Sequence, residues 1–425
     1  MKKLLIISPY FPPVNAADMQ RVRMSLPYFA SFGWDAEVVM VDEAYTDIAK
    51  DDLLLQSVPP AVKVHKVKAL KKRHTSKLGL GSIALRSLWF YRHKVSALLI
   101  ANKYDLIYFS TTQFPVCILG AYWKKHFGVP YVIDMQDPWH SEYYQDKPKH
   151  QRPSKYWFSY RLNKYLEPIA MRSVDGLISV SANYVTNLKY RYPVIKDIPA
   201  ATITFGAFDK DIQIADNNKH LFKSVLQSGY TNIVYIGRGG MDMHKAVIPV
   251  FNALQKGLKN QPGLYNGLKF YFIGTSYAAA GDGSPTILPL AQQFGLQEQV
   301  VEITDRISYY HTLLTLQQAD GLFIPGSDDP SYTASKIYPY LLTQKPLLAI
   351  FNPASSAISV LKEYGAKHVY DYETITSEDI DRFILETTAD SPIIQYNAEA
   401  IEKYSARQMT LNQCLLFDKV IDGKN

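Results

Sequence analysis

Short, almost wholly apolar runs alternate along this chain with stretches whose apolar residues recur at helical spacing. Lys3–Ser8, Ala36–Val41, Asp105–Ser110, Pro130–Asp134 and Ser173–Ser181 read as buried strands. Runs that are apolar on both faces suit parallel strands covered by helices on either side. A helix pattern around Val22, Leu26 and Phe29 closes at Gly33, and another over Gly120–Phe127 closes at Gly128. Strand, loop, helix and strand in that order open a Rossmann-like half. A second alternation supplies strands at Ile233–Ile236, Leu268–Ile273, Val300–Ile303, Gly321–Ile324, Pro346–Ile350 and His368–Tyr370, with helix patterns at Ile287–Phe294 and Tyr309–Gln318. Between the halves, Ile198–Ile212 has no clear periodicity and reads as a connector. The pattern predicts domains at 1–205 and 206–400, and a C-terminal helix at 401–425 that packs back toward the first domain. No short-period repeat is present.

A length of 425 residues fits two cores better than one. A hydrophobic fraction of 47% and a charged fraction of 20% are ordinary for a soluble globular chain. Cys117 and Cys414 stand alone, so neither a disulfide framework nor a metal knuckle is expected, and a reducing, cytoplasmic setting fits. The opening MKKLLIISPYFPP resembles a signal peptide only superficially, because its apolar run ends at Ile7 and prolines follow. No run approaches the ~18 apolar residues that a membrane span needs.

The net charge of +7 is unevenly placed. From Leu53 to Tyr104 there is no Asp or Glu, yet the interval carries eleven Lys and Arg residues between Lys63 and Lys103, with Trp89, Phe90 and Tyr91 among them. Such an interval suits an anionic membrane surface on the inner face of the cytoplasmic membrane, or else a plain solvated basic face. No nucleic-acid-binding module is recognisable, so a nucleic-acid partner is not expected.

Chemistry concentrates in Asn232–Lys245, NIVYIGRGGMDMHK. A buried strand ends in a turn holding Gly237, Gly239 and Gly240, and a helix pattern follows. Glycines permit positive φ and close approach of a ligand, and a helix N-terminus offers N–H groups and partial positive charge. Arg238 and Lys245 add two cations. The combination suits a pyrophosphate, although an ordinary strand–turn–helix with a solvated arginine gives the same local pattern. Asp134 and Asp137 straddle another strand end, where they suit a base or a sugar contact, or else a strand end and a helix cap. Asp328 and Asp329 begin a turn-like loop before Ser331. Ser335 and Lys336 begin a helix pattern whose N–H groups and ammonium suit phosphates. His244 and His311 read as helix-surface residues rather than catalysts.

The order of landmarks resembles the GT-B glycosyltransferases, specifically family four, over nearly the whole chain. The similar pieces are YFPP with Arg21 and GWDAEVVMV, then VIDMQDPW, VDGLISVS and the FGAFD link, then VYIGRGG, EITDRISYYHTLL, ADGLFIP and SKIYPYLLTQKPLLA. The resemblance implies an α/β chain of two Rossmann-like domains facing across a cleft. It also implies a retaining transferase that uses a nucleotide-sugar as substrate, with no cofactor and no catalytic metal. On that basis Gly237, Arg238, Lys245, Arg306, Ile307, Ser335 and Lys336 would bind the donor. Asp137 would serve catalysis, and Asp134, Asp328 and Asp329 would contact acceptor or sugar. The acceptor would be a cell-surface glycan or a lipid-linked glycan. The sequence departs from the family pattern twice. Pro339 stands where the second of two glutamates is usual, with Ser331 at the first, and proline supplies no side-chain acceptor for a ribose hydroxyl. Asn15-Ala16-Ala17 replaces a glycine pair in the first loop. Two other readings stay open: a GT-B relative without transfer activity that acts as a scaffold subunit of glycan assembly, and a nucleotide-sugar epimerase.

Overall fold

The computed structural model describes residues 1–75, 81–142, 145, 149, 152, 156–278, 281–329, 337–389 and 396–423. The chain divides into two compact units, Met1–Gly206 with Ala406–Asn425, and Ala207–Ser405.

The first unit is built on a seven-stranded parallel sheet in the order β3-β2-β1-β4-β5-β6-β7. Its strands are β1 (Lys2–Ile7), β2 (Trp34–Val41), β3 (Val64–Val67), β4 (Leu106–Ser110), β5 (Tyr131–Met135), β6 (Gly176–Ser179) and β7 (Ala200–Thr202). The central strands are apolar on both faces because helices cover both. Leu4 pairs with Ala36 on one side and Leu106 on the other. Crossover helices include Ile83–Ala101, Ile118–Phe127, Tyr156–Met171 and Ala182–Arg191. Gly128 ends the second of these with φ 71°, a left-handed cap that a side chain would strain.

The helix Ala406–Asp422 completes this unit. Phe417 is fully buried against Trp34 (ring centroids 5.5 Å) and Tyr108 (5.0 Å). Gln413 donates to Ser25 Oγ at 2.9 Å, and Lys2 pairs with Asp418 at 2.8 Å. The preceding short helix Ala398–Lys403 belongs to the second unit instead, where Lys403 pairs with Glu363 at 2.5 Å.

The second unit carries a six-stranded parallel sheet in the order β10-β9-β8-β11-β12-β13. The strands are β8 (Thr231–Ile236), β9 (Leu268–Ile273), β10 (Val300–Ile303), β11 (Gly321–Pro325), β12 (Leu347–Phe351) and β13 (His368–Asp371). Phe251, Phe270, Phe272 and Phe323 meet edge to face in its core.

Three elements differ from the sequence expectation. The stretch read as an aperiodic connector contains β7 and the start of the helix Asp209–Asn217. That helix is fixed by Asp211, which accepts from the Tyr309 and Tyr310 hydroxyls at 2.8 and 3.1 Å. The edge strand β3 was not anticipated. The basic interval runs through β3 and the short helix Lys72–Thr75 before the long helix Ile83–Ala101, which carries only Arg86, Arg92 and Lys94 of its cations. In that helix Tyr91 is buried and donates to the Val39 carbonyl at 3.2 Å.

Candidate functional site

In each sheet the strand order reverses once, between β1 and β4 in the first unit and between β8 and β11 in the second. Ligands of open α/β sheets bind outside the carboxyl ends of strands at such a switch point. In the second unit the ladder between β8 and β11 has only two registered pairs, Gly321 with Ile233 and Leu322 with Val234. Beyond them the strands part, and the Tyr340 hydroxyl fills the gap. It accepts from Ile236 N–H at 2.7 Å and donates to the Ile236 carbonyl at 3.1 Å.

Arg238 leaves β8 at this point. Its guanidinium grips Asp242 with two bonds, at 3.0 and 2.5 Å, and both side chains stay partly exposed at 27% and 31%. Asp242 also accepts from Ser327 Oγ at 2.6 Å, and its carbonyl accepts from Asp328 N–H at 2.8 Å. The β8 loop is thereby tied to the β11 loop. Burial alone would raise the Asp242 carboxyl, but the hydrogen bonds from Arg238 and Ser327 outweigh it and hold the group below the usual carboxylate range. Asn352, after β12, donates to the Asp328 carbonyl at 2.9 Å. Lys245 is exposed in the first turn of the helix His244–Asn260, with Nζ 5.6 Å from the Tyr372 ring after β13. Burial, then the Asp328 charge, pushes the Tyr372 phenol up. Arg306, after β10, is exposed and stacks on Tyr277, after β9, at 4.0 Å, while Ile307 beside it packs half-buried on the core. Cations and polar groups from all six strand ends therefore line one edge of this sheet.

The glycine turn works differently from the sequence expectation. The Gly237 and Gly239 N–H groups bond to the Ile273 and Thr275 carbonyls at 2.9 and 2.8 Å, extending the pairing with β9. Those two amides are committed to β9 and do not cradle a ligand in this conformation. The glycines answer steric needs instead. A Cβ at Gly237 would lie 2.4 Å from the Tyr235 hydroxyl, which itself donates to the Arg238 carbonyl, and one at Gly239 would lie 2.7 Å from Thr286 Oγ1. Asp328 and Asp329 are exposed beside the network, the latter with its N–H on Ser327 Oγ at 3.2 Å. Ser331, Ser335 and Lys336 lie outside the described residues. Pro339 is half-buried in the helix Ile337–Leu342, next to Tyr340. His244 and His311 face the Thr286 and Lys223 carbonyls at 3.1 and 3.0 Å.

At the first unit's switch point the aspartates separate by burial. Asp134 has no exposed side-chain surface and pairs with Arg21 Nε at 2.7 Å. It also accepts from Ser110 Oγ and Gln136 Nε2, both at 2.9 Å. Arg21 binds the Ile203 and Thr204 carbonyls as well, at 2.8 and 3.3 Å. The expected sugar contact for Asp134 is replaced by a buried ion pair that fixes the β1 loop to β5 and the end of β7. Asp137, three residues on, is exposed. Partial burial, then the Asp18 charge, holds its carboxyl above the usual range. Asp18 is itself buried, raised by that burial, and accepts from Thr111 Oγ1 at 2.8 Å and Thr112 N–H at 3.0 Å.

The sequence reading missed Asp242, Ser327, Tyr340 and Tyr372 in the second unit, and the Arg21–Asp134 pair in the first. One signal was available, the four-residue spacing of Arg238 and Asp242 in the loop after β8.

No protein-family model matches the sequence, and no curated protein matches it significantly. Solved structures do match. S. aureus TarM in complex with UDP shares 11% identity at a TM-score of 0.55, over 98% of this chain and 100% of that one. The N-terminal domain of Candida albicans trehalose-6-phosphate phosphatase shares 11% at 0.53, over 100% and 96%. A UDP-forming trehalose-phosphate synthase from Burkholderia xenovorans shares 13% at 0.50, over 100% and 98%. Two parallel α/β units, matched along the whole chain by these structures, give this protein the GT-B fold.

Proposed function

We propose that this protein is a nucleotide-sugar-dependent glycosyltransferase, with the donor on the second unit and the acceptor on the first. The observation that carries this is the row of cations at the second sheet's carboxyl edge, centred on Arg238 where β8 and β11 part. In transfer, the bond from the sugar's anomeric carbon to the diphosphate oxygen breaks and one to an acceptor hydroxyl oxygen forms. Negative charge develops on the departing diphosphate. Arg238, Lys245 and Arg306 are the groups to stabilise it, the largest contribution such a site can make. Arg238 would exchange the Asp242 carboxylate for phosphate oxygens, trading one bidentate ion pair for another. Asp137, exposed and with a raised carboxyl, is the group to receive the acceptor proton. The reaction would be retaining and independent of metal, with a cell-surface glycan or glycolipid as acceptor.

The TarM structure contains UDP, so UDP is the first nucleotide to try. Calorimetric titration with UDP, GDP and the matching monophosphates tests the proposal. A diphosphate binding about tenfold or more tighter than its monophosphate supports it. No binding of either diphosphate removes it.

A second reading, a GT-B relative that serves as a scaffold subunit, is favoured by Pro339 and by the bidentate neutralisation of Arg238. Donor hydrolysis or sugar transfer by the purified protein alone would rule it out.

We also propose that the helix Ile83–Ala101 docks on anionic membrane. Trp89 and Ile100 are 62% and 77% exposed on it, and Arg92, His93 and Lys94 are exposed beside them. The basic interval is less free than its composition suggests, since Lys63, Lys66 and Lys72 pair with Glu37, Glu43 and Asp47. No described helix is long and apolar enough to cross a membrane. Co-sedimentation with anionic vesicles that weakens as salt is added is expected, and no binding at low salt ends the idea.

A further inference from the structure

The first unit holds a second feature that the donor chemistry leaves unused. A cavity of about 250 Å³ lies at the carboxyl edge of its sheet, between the loops after β1, β2 and β4 and the start of the helix Ile83–Ala101. That is smaller than the ~300–1,000 Å³ pockets that hold drug-sized ligands. It suits a small polar molecule rather than a whole nucleotide-sugar.

Arg86 forms one wall. The residue is only 4% exposed, and its guanidinium donates to two neutral acceptors, the Leu70 carbonyl at 2.7 Å and the Tyr45 carbonyl at 2.9 Å. Its Nε–H is buried with no partner, and no carboxylate forms an ion pair with it among the described residues. A buried cation whose direct acceptors are all neutral is costly to keep, and so is a buried donor without an acceptor. Arg86 sits in the first turn of its helix, four residues after Ser82 at the N-cap. The Ser82 side chain does not cap the helix and leans instead toward Gln113 at 3.5 Å. The uncapped first turn and the guanidinium thus present N–H groups from one helix end. At the rim, Lys72 neutralises Asp47, the single lining carboxylate among the described residues, at 2.6 Å. Tyr10 and Gln113 add neutral hydrogen-bonding groups of the kind that meet hydroxyls.

We propose that this cavity binds the phosphate of a small phosphorylated sugar or polyol, with Arg86 and the first turn of the helix Ile83–Ala101 as its anion site. An anion there gives the Arg86 guanidinium a counter-charge beyond Asp47, whose carboxyl already feels the Arg86 charge but is paired with Lys72. If the transferase reading holds, that molecule is the acceptor or its end group, and this part of the proposal rests on that reading. The binding itself does not.

The test is calorimetric titration of the full chain with glucose 6-phosphate and glycerol 3-phosphate, each against its phosphate-free parent. Binding of a phosphate ester about tenfold or more tighter than its parent is expected, the scale of charged hydrogen bonds. Arg86→Gln should lose that preference. Because Arg86 also braces two carbonyls, Gly81→Asp serves as the second variant. Gly81 lines the cavity, and an added Cβ there meets nothing within 4 Å. The new carboxylate also suits a helix N-terminus, so folding and UDP titration should be unchanged while ester binding falls about tenfold or more. Arg238→Ala should leave ester binding intact, which separates this site from the nucleotide site. Equal binding of ester and parent, wild-type ester binding by Gly81→Asp, loss of ester binding in Arg238→Ala, or binding only to phosphatidic acid vesicles would each overturn the proposal.

Discussion

Each of the two sheets ends near its switch point in an arginine–aspartate pair, and the surroundings give the pairs opposite roles. Arg21 and Asp134, at 2.7 Å, are both 0% exposed and come from segments far apart in the chain. Arg238 and Asp242, at 2.5 Å, are 27% and 31% exposed and lie four residues apart in one loop. A fully buried pair cannot exchange a partner, because the charge left behind has neither water nor a substitute. A half-exposed pair contributes little to stability, on the order of 0–1 kcal/mol, and can trade its carboxylate for a phosphate. The same two residue types therefore brace the first unit and form the proposed ligand site of the second.

The strongest test of that contrast is Arg21→Met. It strands the Asp134 carboxylate in the core and should lower folding stability by about 3–5 kcal/mol in denaturant titration. Adding Asp134→Leu should recover most of the loss, since an apolar pair of similar size needs no counter-charge. Arg238→Ala, by the same measurement, should stay within about 1 kcal/mol of the parent. Comparable losses at the two positions would break the contrast.

A smaller effect is expected at Lys245, exposed near Tyr372. Lys245→Gln should weaken nucleoside diphosphate binding only several-fold, on the order of 1 kcal/mol, because a lysine ammonium acts as a single screened charge. A loss as large as that from Arg238→Ala would move the centre of the site to Lys245.

The smallest effect separates the units by pH. The Asp242 carboxyl is held low in the fold, so its contribution is present above the ordinary carboxylate pKa of about 3.9 and fades as pH falls through its folded value. Asp18 is held high, so its favourable contribution exists below about 3.9 and disappears as pH rises through its folded value. Stability measured by denaturant between about pH 3 and 7 should respond oppositely to the two neutral variants. Asp242→Asn should flatten the acid loss, and Asp18→Asn should remove a penalty at neutral pH. Shifts of the same sign would contradict the two environments.

Much of the scaffold was legible because buried parallel strands write themselves as continuous apolar runs. Leu268–Ile273 and Val300–Ile303 match the observed strands end to end. The edge strand Val64–Val67 was not legible, since three of its four residues are at least partly exposed and two of them are His65 and Lys66. Ala200–Thr202 is too short to show a period. In the candidate site, Arg238 and Lys245 were visible as cations after a strand, but their partners were not. Tyr372 arrives from β13, and Ser327 from the end of β11. The glycines were visible, but nothing in their spacing tells that the Tyr235 ring occupies the space beside Gly237. Arg21 and Asp134 are separated by 113 positions, and only the strand order brings them together.

The central claim is that Arg238 leaves Asp242 to hold a diphosphate, and calorimetric titration of UDP and GDP against two variants tests it most directly. Arg238→Ala should weaken the preferred diphosphate by about 10–100-fold. Asp242→Asn, which frees the guanidinium from its competing carboxylate, should tighten it. Diphosphate binding that neither substitution changes, or that Asp242→Asn weakens as much as Arg238→Ala, would contradict the account.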